Sequence, residues 1–157
     1  MKEIILIISC ILLFSMMALS ENVNINGTWK GMMTVTDKGS GHIEIKDDDG
    51  NPINVIPIKF IFNDGKFICF TGKDTEGEAF EKKDENTYSI KRFDGEYTVK
   101  DTKVNMKFSQ GDSMGYFKGS YTCFVSDNTI KGIAEWVFGA VLIFKDKLKF
   151  DFEVTKQ

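Results

Sequence analysis

The sequence predicts an all-β domain, an antiparallel up-and-down β-barrel of about eight to ten strands that follows an N-terminal signal segment. After residue 20, apolar residues recur with a period of two in short runs, and no stretch has the period of a helix. Gly, Asn and Asp separate these runs, so the connections are short, which favours an antiparallel meander over crossover helices. Many short strands without helices pack as two sheets or close into a barrel, and closure removes the exposed edges.

Side chains alternate between the two faces of a strand, so each run also predicts which residues point inward. The candidate strands cover residues 27–36, 42–46, 53–62, 66–71, 78–82, 87–93, 96–100, 102–108, 116–125, 129–138, 141–145 and 147–154. The inward sets of the clearest strands are Val104, Met106 and Phe108; Phe117, Gly119, Tyr121, Cys123 and Val125; Ile130, Gly132, Ala134, Trp136 and Phe138; and Leu148, Phe150, Phe152 and Val154. These sets are rich in aromatic residues, and small residues lie between the rings. Such an interior either fills with side chains or leaves a cavity, and both outcomes stay open.

Three Asp-Gly pairs are strong signals for two-residue hairpin turns, because Gly accepts the positive φ that such turns require. They are Asp49-Gly50, Asp64-Gly65 and Asp94-Gly95. Pro57 lies within an apolar run and indicates an edge or a bulge there.

Residues 1–20 have the layout of a secretory signal peptide. Charged Lys2 and Glu3 precede an apolar run from Ile4 to Leu19, and small residues lie before a cut at Glu21. We therefore expect a secreted or periplasmic protein in which residues 21–157 form one domain.

Two other interpretations of this leader stay open. The apolar run is a little shorter than the roughly 20 residues of a membrane-spanning helix, but an uncleaved membrane anchor is an alternative. Ile7-Ile8-Ser9-Cys10 loosely resembles a bacterial lipobox, in which Cys10 would carry the lipid. We expect no other membrane contact.

Composition and motifs argue against catalysis, cofactors, metals and nucleic acid. The formal net charge is −3, so there is no electrostatic case for nucleic-acid binding. His42, the only histidine, shares a polar face with Glu44 and Lys46 and is expected to be exposed. Asp47-Asp48-Asp49 lacks the spaced ligands of a calcium loop and is expected to be a solvated hairpin tip. No Ser or Cys lies beside a plausible base, so we expect no enzyme.

Arg92, the only arginine, is expected to point inward, because it shares a face with Tyr88 and Ile90 in the strand 87–93. A buried arginine needs a partner, since an unpaired buried charge is costly. It would then bind a ligand carboxylate or stack on a tryptophan. The alternative is that Arg92 lies at the strand end and reaches water.

Two cysteines, Cys69 and Cys123, lie in the predicted domain. In an exported domain they could form one disulfide, or they could be two separate buried thiols. Pairing depends on geometry that the sequence does not contain.

The segment Asn26-Gly27-Thr28-Trp29-Lys30-Gly31 resembles the Gly-x-Trp signature of the lipocalins and their calycin relatives. The same segment contains a glycosylation sequon at Asn26. The resemblance implies a lipocalin-like barrel in which Gly27 and Trp29 plug the closed end and a cation from a late strand packs over the tryptophan. The sequence shows no counterpart to that cation, because Lys145, Lys147 and Lys149 fall on the outer face. The lid and the carboxylate clamp of the fatty-acid-binding proteins are missing too.

This resemblance implies a non-catalytic carrier that binds a small hydrophobic ligand inside the barrel. The residues expected to line the site are Met33, Tyr88, Ile90, Arg92, Tyr97, Met106, Phe117, Tyr121 and Trp136. The alternative is an exported barrel with a filled core that acts through protein–protein contacts, as an inhibitor or envelope protein. Outward Met32 and Val137 are its sequence hints.

Overall fold

The strands follow the alternation of apolar and polar residues along the chain. A computed structural model describes residues 22–41, 43–46, 50–72, 81–82, 88–89, 92–111, 115–140 and 144–157. The strands are β1 Gly27–Asp37, β2 Val55–Asn63, β3 Lys66–Thr71, β4 Glu81–Lys82, β5 Tyr88–Ser89, β6 Arg92–Lys100, β7 Lys103–Gly111, β8 Gly115–Ser126, β9 Thr129–Ala140 and β10 Phe144–Lys156. The predicted signal segment, Cys10, His42, Asp47–Asp49 and Ile90 lie outside the described residues.

Eight antiparallel strands close into one barrel in the order β1-β10-β9-β8-β7-β6-β3-β2, and β4 and β5 form a separate two-stranded sheet. The predicted up-and-down barrel is therefore confirmed. Closure gives every wall strand two hydrogen-bonded neighbours, so the barrel has no exposed strand edge that could pair with another chain. The described residues of the predicted strand 42–46 form only one bridge, between Lys46 and Pro52.

The predicted turns have two different outcomes. Asp64 and Gly65 have φ values of 44° and 82° and join β2 to β3, as predicted. Asp94-Gly95 is not a turn, because β6 runs through it. A Cβ atom on Gly95 would lie 2.7 Å from Phe67 Cε1 and would also meet the Lys107 carbonyl. Glycine is needed there to let the Phe67 ring pack against the wall.

The predicted inward residues form the core. The side chains of Val104, Met106, Phe117, Tyr121, Ile130, Trp136, Leu148, Phe150, Phe152 and Val154 are all buried. The alternation of β7 to β10 therefore has the predicted phase. The charged residues of these strands lie on the outer face, except for Asp146 and Lys156 near the two ends of β10.

The chain before β1 closes one end of the barrel, which we call the Trp29 end. The Val23 amide donates to the Asp101 carbonyl (3.1 Å), and the Asp101 amide donates to Asn22 Oδ1 (2.9 Å). Ile25, two residues after Val23, is buried in the core. Residues 22–26 thereby cross the turns of this end.

The opposite end, which we call the Asp146 end, is covered by the connection from β1 to β2. Asp146 is buried, and its carboxylate accepts hydrogen bonds from the amides of Ser40 (2.9 Å) and Ile43 (3.2 Å). Ile43, Ile45 and Ile53 pack against the core from above. One carboxylate on β10 therefore holds the connection over this end of the barrel.

Candidate functional site

Trp29 lies at one end of the barrel, in the position that the Gly-x-Trp resemblance implies. Its ring is 1% exposed, and Nε1 donates to the Ile25 carbonyl (2.8 Å). Lys156 lies directly opposite Trp29 in the β1–β10 pair, and its Nζ is 5.6 Å from the ring centroid. The expectation that no cation from a late strand packs over the tryptophan is therefore wrong. The alternation of 147–154 continues for two more residues and brings Lys156 to the inner face.

Five of the predicted ligand-lining residues come together inside the barrel. Met33 on β1, Met106 on β7, Phe117 and Tyr121 on β8, and Trp136 on β9 are all buried. Phe117 and Trp136 are in ring contact, with centroids 5.3 Å apart. A role of these residues in ligand binding stays a prediction.

One aromatic contact crosses the barrel from wall to wall. Phe60 on β2 and Tyr121 on β8 lie on opposite strands of the eight-stranded wall, with ring centroids 5.4 Å apart in an edge-on arrangement. Phe152 on β10 contacts both rings, at 5.9 Å and 5.4 Å. Sequence reasoning missed this cluster, because alternation shows that a residue points inward but not which residue it meets.

A polar network lies within these rings. Trp136 Nε1 donates to the Tyr121 hydroxyl (3.0 Å). The Cys69 thiol lies near this hydroxyl, and Cys69 Sγ is 3.8 Å from the Phe70 carbonyl. Burial raises the pKa of Tyr121 well above its ordinary value. No described buried side-chain nitrogen or oxygen lacks a hydrogen-bond partner. The network therefore satisfies the polar atoms that the aromatic core buries.

The two cysteines are free thiols, and both are buried. They lie on β3 and β8, which β6 and β7 separate in the wall. Burial raises the pKa of Cys69 well above its ordinary value and that of Cys123 to about 12. Both groups therefore stay protonated in the folded protein at neutral pH, where a thiol is a poor nucleophile.

Arg92 lies on the outer face of the barrel, contrary to the expectation of an inward arginine. Phe93 is the buried neighbour, and the Arg92 guanidinium lies 5.8 Å from the centroid of the outward Phe70 ring. The prediction extended one alternation through residues 87–93, but β5 and β6 are separate strands. Tyr88 belongs to β5, which pairs with β4 and not with the barrel wall.

Tyr97 belongs to a hydrogen-bond network with Asn26 and Asp64 at the Trp29 end. Its hydroxyl donates to Asn26 Oδ1 (2.8 Å), which also accepts from the Asp64 amide (3.1 Å). Asn26 Nδ2 donates to the Asp64 carboxylate (2.8 Å). The side chain of the sequon asparagine is thus occupied in the folded protein by the turn between β2 and β3.

The described residues contain neither a metal-binding cluster nor a membrane-spanning helix. Among the described residues, no three His, Cys, Asp or Glu side chains lie together in a way that could hold a metal ion. The same part of the chain contains no helix long and apolar enough to cross a membrane.

No family model, curated protein or solved structure matches the chain. The closed eight-stranded antiparallel barrel is compatible with a lipocalin-like fold.

Proposed function

We propose that this protein is an exported, non-catalytic β-barrel module that acts through contacts between its outer wall and another macromolecule. The observation that carries the proposal is the contact between Phe60 and Tyr121 from opposite walls. These rings occupy the space along the barrel axis where a carrier would hold its ligand. The proposed export is supported by the layout of residues 1–20.

The exposure of the interior side chains supports the same proposal. A ligand-sized cavity has a volume of several hundred Å³. Side chains that line such a space keep surface that water can reach. Met33 and Met106 are 0% exposed and Tyr121 is 1% exposed, so they line no space of that kind. A ligand inside the barrel would have to displace these three side chains.

The outer wall offers apolar side chains for contact. Met32, Val55, Phe124 and Ile133 point away from the core and are 49%, 44%, 57% and 60% exposed. Val137, the second sequence hint, is outward but buried. Single exposed apolar residues are ordinary on protein surfaces. These four residues therefore support a binding surface only if they belong to a larger apolar patch.

A small apolar ligand inside the barrel is the second candidate. The packing of Lys156 over Trp29 favours it, because this arrangement is what the resemblance to ligand-carrying barrels implies. Binding would require the Phe60, Tyr121 and Phe152 rings to separate, at the cost of their packing.

Three measurements separate the candidates, two on the purified protein and one in the fraction from which it comes. Native mass spectrometry and displacement of a fluorescent fatty-acid probe test the interior, and chemical cross-linking in the secreted or envelope fraction tests the outer wall. We expect no co-purified ligand, no probe uptake and a discrete cross-linked complex. A bound lipid-sized mass, or saturable uptake of the probe, would overturn the proposal in favour of a carrier.

A further inference from the structure

A row of outward side chains crosses four neighbouring strands and combines cations with an aromatic ring. Lys30 on β1 lies opposite Lys59 on β2, Lys59 lies opposite Phe70 on β3, and Phe70 lies opposite Arg92 on β6. We call these four residues the basic row. Neighbouring strands are about 4.8 Å apart, so the row is about 14 Å long.

Among the described residues, the cations of the basic row have no acidic partner. Within the described part of the chain, no carboxylate oxygen lies within 4.0 Å of the charged nitrogens of Lys30, Lys59 or Arg92. Three lysines of β9 and β10 differ in this respect, because Lys131, Lys147 and Lys149 pair with Glu153, Glu135 and Asp37. In a protein of formal charge −3, the basic row brings three cations together on four neighbouring strands.

The geometry of the row is unfavourable for the isolated barrel. Like charges directly opposite on neighbouring strands destabilise a sheet, and Lys30 faces Lys59 in this way. Lys59 Nζ instead lies 4.4 Å from the Phe70 ring centroid, with Arg92 at 5.8 Å on the same ring. Because an aromatic ring does not neutralise a cation, Lys59 and Arg92 keep their charge and can still pair with an anion from another molecule.

Beside the basic row, β2 is apolar on its outer face as well as its inner face. Lys59 is the only charged residue of β2, and Val55, Pro57 and Ile61 face outward on that strand. Ile61 lies opposite the outward Ile68 of β3. Strands that carry apolar residues on both faces are typical of walls covered on both sides.

We propose that the basic row and the apolar residues beside it bind an acidic polypeptide segment that also carries apolar side chains. This inference rests on the proposed function and names its surface and partner class. The three cations of the basic row favour an anionic partner, and the curvature of the barrel wall favours a polypeptide over a flat membrane. Three strand steps of an eight-stranded barrel turn the wall through about 135°, so a flat bilayer reaches only part of the row while a chain follows it.

The test uses fluorescein-labelled poly-L-glutamate as the probe and fluorescence anisotropy at low salt as the readout. We expect saturable binding that weakens with added salt, because exposed charges are screened. The double variant Lys59→Glu/Arg92→Glu should raise Kd by roughly tenfold or more. The matched control, Lys107→Glu/Lys118→Glu on β7 and β8, changes the net charge by the same amount and should leave Kd within about twofold. Far-UV circular dichroism checks that both variants are folded.

Several outcomes would overturn the inference. Equal weakening by both double variants would mean a general charge effect. Binding to phosphatidylglycerol vesicles that depends on Lys59 and Arg92, without poly-L-glutamate binding, would identify a membrane as the partner.

A complex cross-linked in the native fraction that survives Lys59→Glu/Arg92→Glu would leave the proposed function standing and remove the basic row from it. Co-purified ligand without any cross-linked partner would remove both.

Discussion

Lys156 Nζ lies 5.6 Å from the centroid of the Trp29 ring, across the pair formed by the first and last strands of the barrel. This pair closes the barrel, so the contact forms only when the two ends of the domain meet. The indole also donates to the Ile25 carbonyl, which joins the segment before β1 to the same plug. Trp29 therefore connects the segment before β1 with β10, the strand that closes the barrel against β1.

Lys156→Ala should destabilise the barrel by about 0.5–1 kcal/mol, because a cation over an aromatic face contributes about that much at an accessible site. Lys156→Arg keeps the charge and should cost less. Urea unfolding followed by far-UV circular dichroism measures both free energies. Equal stability of the alanine and arginine variants would mean that the contact contributes nothing.

Tyr121→Phe should lower the free energy of unfolding by about 1–3 kcal/mol, because Trp136 Nε1 loses its acceptor in a buried place. Tyr97→Phe removes a hydroxyl whose hydrogen bond to Asn26 is only part-buried, so water can replace it and the loss should be smaller. Thermal unfolding of the two variants in parallel gives the comparison. A larger loss for Tyr97→Phe would contradict the role assigned to the inner network.

Gly95→Ala should destabilise the protein by about 1–3 kcal/mol, since the added methyl overpacks the wall against Phe67 and the Lys107 carbonyl. Thr98→Ala, on the outer face of the same strand, is the control and should change stability by less than about 1 kcal/mol. Chemical denaturation measures both. If Gly95 belonged to a turn, as its sequence context suggests, its substitution would not affect the Phe67 packing.

Stability should fall in alkaline solution because of the two buried thiols. The pKa of Cys123 is about 12 in the folded barrel against an ordinary value of 9.0, and burial raises that of Cys69 as well. Above pH 9 the unfolded chain loses these protons while the folded chain keeps them, so stability is full below pH 9 and falls as the pH rises towards 12. The slope is at most roughly 1.4 kcal/mol per pH unit for each thiol.

Urea unfolding between pH 8 and pH 11 with a reductant present measures this fall, because the free energy of unfolding should be constant below pH 9 and decrease above it. Cys69→Ala/Cys123→Ala should flatten the slope, and the difference from the parent isolates the thiols from tyrosines and lysines that titrate in the same range. Parallel slopes in the two proteins would show that the thiols do not contribute.

Lys30→Glu should stabilise the barrel by about 0.2–1 kcal/mol, because it replaces a like-charge pair with an opposite-charge pair across β1 and β2. The same change should weaken poly-L-glutamate binding. Thermal unfolding and anisotropy on one preparation measure both effects. Loss of stability would contradict the unfavourable geometry assigned to Lys30 and Lys59.

The sequence by itself determined the β-class, the short connections and the inward faces of the long strands. Val104, Met106 and Phe108 illustrate why: a period of two is local, and within one unbroken strand it determines every side chain's face. The Asp64-Gly65 turn follows in the same way, from the positive φ that two adjacent residues must adopt.

Only the tertiary structure decided where strands break and which residues meet. Arg92 lies on the outer face because β5 and β6 are separate, and Gly95 lies in mid-strand because the Phe67 ring needs room. Phe60 meets Tyr121, and Lys156 meets Trp29, because the barrel closes with a particular register. Closure joins residues far apart in the chain, and no local period records which partners it selects.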